Sequence, residues 1–202
     1  MGHGLTFADS PKIEPAIATR LRNIFAGVGA AGILASAALL FLGDYGGHGA
    51  KIFYFSYLTA YFACVTISLG CLFYIIIHHL TRAAWSTGFR RIAENVAGVL
   101  PWAIVGFIPV ALGAHDLFHW THAEAMAIDP ILQGKAGYLN EPFFFVRAVI
   151  YLLLWSAMAI FFRKMSVRQD ESGDTALTFR MRWWAPLCTL AFALTVSYAA
   201  FD

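Results

Sequence analysis

The chain has 202 residues, 59% of them apolar and only 13% charged, whereas an ordinary soluble domain carries about 45–50% and about 25%. A chain of this length could bury one soluble core, but its apolar residues fall into uninterrupted runs longer than a core helix needs. The formal net charge of +2, with basic residues interleaved between those runs, gives no footprint for nucleic acid and instead reads as loops beside a bilayer.

Residues 1–23 contain Asp9, Pro11, Lys12, Glu14, Pro15, Arg20 and Arg22. With no early apolar core and no cleavage site, they are not a signal peptide but a polar cytoplasmic arm. Five apolar runs follow at 24–43, 52–77, 96–114, 143–162 and 183–201. About 20 apolar residues rising 1.5 Å each cross a hydrocarbon core of about 30 Å, so the fold expected is an all-α bundle of about five transmembrane spans. In the first span Gly27, Ala31 and Ala35 recur every fourth residue, a spacing that admits a close neighbour helix. The second carries a polar thread of Tyr54, Ser56, Tyr57, Thr59, Tyr61 and Ser68, which reads as helix–helix hydrogen bonding. The third contains Pro101 and Pro109, each removing a helical hydrogen bond, so a kink is expected. The fourth holds one charge, Arg147, about 6 Å from its start by helix rise. Arg147 is shallow enough to snorkel, or else it pairs with a carboxylate or an anionic head group.

Orientation follows from the connections. Lys12, Arg20 and Arg22 precede the first span, Arg82, Arg90 and Arg91 follow the second, and Arg163, Lys164, Arg168, Arg180 and Arg182 lie between the fourth and fifth. On the other side Lys51 and Lys135 face Asp116, Glu124, Asp129 and Glu141. The basic side, with the N-terminus, is therefore placed in the cytoplasm of a bacterial inner-membrane protein. Trp85, Trp120, Trp183 and Trp184 fall near span ends, where an interfacial belt is expected. The long loop 115–142 mixes Trp120, Met126, Ile128, Ile131, Leu132 and Tyr138 with acids, the composition of an interfacial segment that packs against a partner.

Cys64, Cys71 and Cys188 all lie in apolar runs without ligand spacing, so they read as small buried packing residues. His78 and His79 close the second span; His115, Asp116, His119 and His122 follow the third, the histidines sharing a face if the helix continues. Histidine pairs can hold haem in a bundle, but spans two and three exit on opposite sides, which separates the two groups by about 30 Å. No haem or metal is expected in this chain. The histidines are read as headgroup-level or interface residues, or as proton-handling groups, because imidazole titrates near neutral pH. With no carboxylate inside the spans, a relay has to begin at an edge: His78 and His79 on the cytoplasmic side, His115, Asp116 and Asp202 on the other.

Five segments resemble a known family. Residues 70–82 (GCLFYIIIHHLTR), 115–120 (HDLFHW), 134–147 (GKAGYLNEPFFFVR), 166–170 (SVRQD) and 200–202 (AFD) are similar, in order, to one of the two related polytopic membrane proteins of alternative complex III. That complex is a quinol:cytochrome c oxidoreductase, and both of these membrane proteins are related to the polysulfide-reductase-type (NrfD-like) anchors. The one that this chain resembles is discussed as a proton route or scaffold, whereas its sister is credited with the quinol site. The resemblance implies a large respiratory or photosynthetic complex, with haem c and iron–sulfur clusters in partner subunits and the sister membrane protein alongside. It also implies a chain of about twice this length with ten spans, so the expectation is that these residues form its first half. The reading is a membrane component of a quinol-oxidising electron-transfer complex, non-catalytic itself, acting as scaffold and proton route with quinone nearby. The alternatives are a quinone-binding component that uses a histidine or Arg147 on a carbonyl oxygen, a purely structural anchor, and a small transporter. Candidate proton-path or quinone-contact residues are His78, His79, His115, Asp116, His119, Arg147 and Asp202.

Overall fold

The computed structural model describes residues 14–42, 49–83, 87–122, 124 and 128–201. Among them the secondary structure is entirely helical, with no strand. The chain divides into two compact units, Met1–Phe53 and Tyr54–Asp202.

The first unit contains α1 (Pro15–Leu42) and the beginning of α2. α1 starts at a proline, whose missing N–H costs nothing in a first turn. The second half of the arm expected at 1–23 is thus helical and continuous with the first apolar run.

The second unit is built on two helices of 32 residues each, α2 (Gly49–Leu80) and α8 (Glu141–Ser172). Between them come α3 (Thr87–Ala97), α4 (Leu100–Gly106), α5 (Ile108–Leu112), α6 (Ala114–Leu117), a 3-10 turn at His119–Thr121 and α7 (Pro130–Gly134). The chain ends in α9 (Ala176–Ala199). α8 is delimited by local chemistry at both ends. Asn140 caps its start, its side chain accepting from the Phe143 N–H at 3.0 Å with Pro142 in the first turn. Gly173 stops it in the left-handed region at φ 67°, a conformation glycine adopts without a Cβ penalty.

Among the described residues three helical runs are long and apolar enough to cross a membrane: Gly49–Leu80, Gly88–Leu112 and Glu141–Ser172. The expected third span, 96–114, is not one smooth helix. It is interrupted between α4 and α5, whose first turns hold Pro101 and Pro109, and it begins earlier, because 87–97 is helix rather than loop. Arg163, Lys164, Arg168, Arg180 and Arg182, expected in a connection, likewise lie in helical extensions of α8 and α9. A charge outside the hydrocarbon does not end a helix.

α2 leans on the broken segment through its tyrosines. The Tyr57 hydroxyl donates to the Gly106 carbonyl at 2.7 Å and the Tyr61 hydroxyl to the Ala103 carbonyl at 3.0 Å. The polar thread is therefore helix–helix bonding at these two positions, while Thr59 and Ser68 bond back to carbonyls one turn earlier. Tight core packing gathers toward one end of the unit, where Leu72, Ile75, Ile76, Ala97, Leu100, Phe162 and Met181 are almost fully enclosed. Elsewhere large apolar side chains such as Leu112, Val149, Leu153 and Leu187 stay exposed, as a surface facing lipid does. Cys64 is exposed and Cys71 and Cys188 half-buried, so the expectation of three buried packing cysteines is corrected for Cys64.

Candidate functional site

The end of the unit where α2 finishes holds a concentration of buried polar groups. His78 and His79 are 8% and 2% exposed, Glu94 on α3 is 1%, and Ser166 on α8 is 0%. The two imidazoles meet edge to face with centroids 5.0 Å apart, and His79 stacks on the Phe162 ring of α8 at 5.4 Å. One turn along α8 from Phe162, Ser166 turns toward Glu94; Gln169 and Asp170 continue that stripe. Arg91 donates from Nη1 to the Glu94 carboxylate at 2.7 Å, and its Nη2 reaches Asp170, tying α3 to α8. Arg90 Nε faces the other Glu94 oxygen at 3.3 Å, an ion pair without hydrogen-bond alignment. Arg90 and Arg182 are near enough for both imidazoles to feel their charge, and Arg163 covers Gly98, its Nη1 3.3 Å from where a Cβ would stand.

Two side-chain atoms of this cluster, His79 Nε2 and Gln169 Oε1, are buried without a hydrogen-bond partner, while the Ser166 hydroxyl leans on the Glu94 carboxylate and Arg90 pairs with it. Each of the first two costs about 1–3 kcal/mol if left dry. Buried polar atoms are almost always satisfied, and ordered water is the usual partner where protein supplies none. Ring nitrogen, carboxylate, hydroxyl and amide oxygen are thus gathered at this end of the unit, and two of these groups can take up and release a proton.

The opposite end carries the second histidine group. By helix rise, His79 lies about 37 Å along α2 from Tyr54, and Tyr54 packs against Gly113 beside α6. The helix does not continue through His115, His119 and His122, so they do not share a helical face: α6 stops at Leu117, where Phe118 is extended at φ −110° and ψ 115°. The turn that follows still brings the rings together, His115 to His122 at 4.2 Å and His119 to His122 at 6.0 Å between centroids. His115 and His119 are exposed, while Asp116 is half-buried. Among the described residues no three His, Cys, Asp or Glu side chains are placed to hold a metal ion. Trp120 and Phe118 fold onto Phe144 of α8 at 5.5 and 4.9 Å, while Ile128 and Ile131 stand exposed. Met126 and Asp202 lie outside the described residues.

Arg147 does not snorkel. It is 6% exposed, its Nη1 donates to the Tyr138 carbonyl at 2.9 Å, and its guanidinium sits 3.8 Å from the Tyr138 ring centre and 4.3 Å from that of Phe143. A planar, weakly hydrated cation suits such a slot.

Sequence reasoning placed His78 and His79 at a helix end and passed over Glu94, two residues before the expected third span. The structure buries that carboxylate at the end of the unit where the histidines lie. Its signal was present: Arg90 and Arg91 stand four and three residues before Glu94, the spacing of helical ion pairs.

The fold and this site define a helical protein with helices long and apolar enough to cross a membrane and a polar cluster buried at one end. No protein-family model matches the chain, and no curated protein compared with it is significantly similar.

Proposed function

We propose that this chain is a membrane component of a quinol-oxidising electron-transfer complex in the bacterial inner membrane, resembling the scaffold or proton-route member of the membrane pair in alternative complex III. In this reading it crosses the bilayer five times from a cytoplasmic N-terminus. It is a scaffold for the sister membrane protein and for iron–sulfur and haem c partners, and it carries protons rather than electrons. One observation supports the proton role above the others: His79, Glu94, Ser166 and Gln169 hold buried polar atoms at the basic end, and His79 Nε2 and Gln169 Oε1 among them have no protein partner. Quinol oxidation releases protons together with electrons, and water held by such groups is a conduit for protons alone. Imidazole and carboxylate supply the exchangeable sites; serine and amide hold water between them.

The test begins with purification of the tagged chain from its native membrane, where co-purifying haem absorbance is expected. Glu94→Gln and His79→Phe are then compared in proteoliposomes, normalised to haem. Glu94→Gln is expected to lower proton-coupled quinol oxidation at least threefold with haem content unchanged. A chain that purifies colourless overturns the complex assignment; unchanged turnover and proton stoichiometry in both variants overturn the proton role.

A further inference from the structure

A second feature lies away from the polar cluster. Between α2, α8 and α9 there is a cavity of about 550 Å³, within the range of small-molecule pockets. It extends along α2 from Leu58 to Phe73, about 22 Å by helix rise. Its walls are aromatic and aliphatic: Tyr61 and Phe73 from α2, Tyr151 and Trp155 from α8, and Phe192 from α9.

We propose that this cavity binds a single hydrocarbon chain, the tail of a bilayer amphiphile, independently of its head group. Three observations carry this. First, the walls are apolar and the polar atoms of Tyr61 and Trp155 are already committed inside the protein. The Tyr61 hydroxyl donates to the Ala103 carbonyl and Trp155 Nε1 donates to Thr195 Oγ1 at 2.9 Å. A polar ligand would find few partners, whereas an alkyl or isoprenoid chain needs none and gains dispersion contacts with the rings.

Second, the lining follows one helix for about 22 Å, a run that suits an extended chain better than a compact ligand. Third, Gly70 lines it and is exposed, and a Cβ added there would meet nothing within 4 Å, so the cavity opens at the molecular surface there, where a chain can enter. An apolar cavity left empty forfeits contacts on every wall, and in a bilayer the hydrocarbon to fill it is at hand.

Filling the slot is the test. The full chain, with whatever subunits accompany it, is purified in mild detergent as wild type, Gly70→Leu, and Ile67→Phe, which adds bulk on an exposed face of α2 outside the cavity. Native mass spectrometry is expected to show one retained chain-bearing molecule on wild type and Ile67→Phe, and at least tenfold less on Gly70→Leu. Its mass distinguishes a phospholipid acyl source from an isoprenoid one. In parallel, wild type is reconstituted in phosphatidylcholine vesicles carrying a trace of diazirine-acyl phosphatidylcholine and irradiated. Adducts on Tyr151, Trp155 or Phe192 are expected. This second measurement holds even if Gly70→Leu fails to fold. A wild type that retains nothing and gives no adducts at these residues, equal retention by a folded Gly70→Leu, or cross-links from the cavity to a protein segment each overturn the proposal.

Discussion

Glu94 is held by two neighbouring arginines on its own helix and by a buried environment that would reject it without them. Removing a partner from a buried ion pair is more damaging than replacing the pair, because the remaining charge loses its compensation. Arg90 and Arg91 retain some contact with solvent, which moderates the penalty. Glu94→Ala is expected to destabilise the purified chain by about 2–3 kcal/mol, read as a lower thermal midpoint in detergent. Glu94→Gln keeps the shape and is expected to retain most of that midpoint. A larger loss in Glu94→Gln than in Glu94→Ala would contradict this account.

Arg147 makes a separate prediction: Arg147→Lys keeps the charge but loses the flat stack between Tyr138 and Phe143. It is expected to cost about 1–2 kcal/mol, and a stability equal to wild type would mean the rings contribute nothing. The contrast between these residues shows what was readable beforehand. Arg147 drew notice as a charge in an apolar run, although its burial could not be inferred because the Tyr138 carbonyl and ring come from a loop nine residues earlier. Glu94 drew none, because the neighbouring charges disguise it as surface, and only the packing of α3 against α8 reveals that it faces inward.

Helix ends were the least legible elements. α2 and α8, at 32 residues each, are about 48 Å long, beyond a hydrocarbon core of about 30 Å. Apolarity marks the part inside the membrane and says nothing of where hydrogen bonding stops, so 163–172 and 176–182 read as loop although they are helix. The interruption near Pro101 and Pro109 was legible, since proline cannot give the bond a helix requires. Its consequence was not: the broken segment bares backbone for the α2 tyrosines and forces small residues opposite them. A Cβ at Gly113 would run into the Tyr54 ring. Gly113→Ala is expected to cost about 1–3 kcal/mol through overpacking, and Tyr54→Leu in the same chain is expected to restore part of it. Because the two residues touch, their effects should be non-additive; strict additivity of the two thermal shifts would show that α2 and the α5–α6 corner do not press on one another.

At the scale of the whole molecule, the two histidine groups sit at opposite ends of α2, so which end faces the cytoplasm decides what each can exchange protons with. The charge pattern assigns the end with Arg90, Arg163, Lys164 and Arg182 to the cytoplasm, and the structure makes that assignment testable at positions that tolerate change. Asp129 is a poor reporter, because its carboxylate caps α7 by accepting from the Ile131 N–H at 2.8 Å. Ile128 is 81% exposed beside it, and Lys164 is exposed on the far extension of α8. In a background with Cys64, Cys71 and Cys188 replaced by serine or alanine, Ile128→Cys is expected to react with a membrane-impermeant maleimide in intact spheroplasts. Lys164→Cys is expected to react only after the membrane is opened. The reverse pattern would turn the molecule over, place the His79–Glu94 cluster on the outer face, and make it an exit for protons instead of an entrance. Labelling of both positions in intact cells would mean that Ile128 and Lys164 share a side. That outcome is incompatible with α8 crossing the bilayer once between them, because the stretch from Arg147 to Lys164 rises about 26 Å along a single helix.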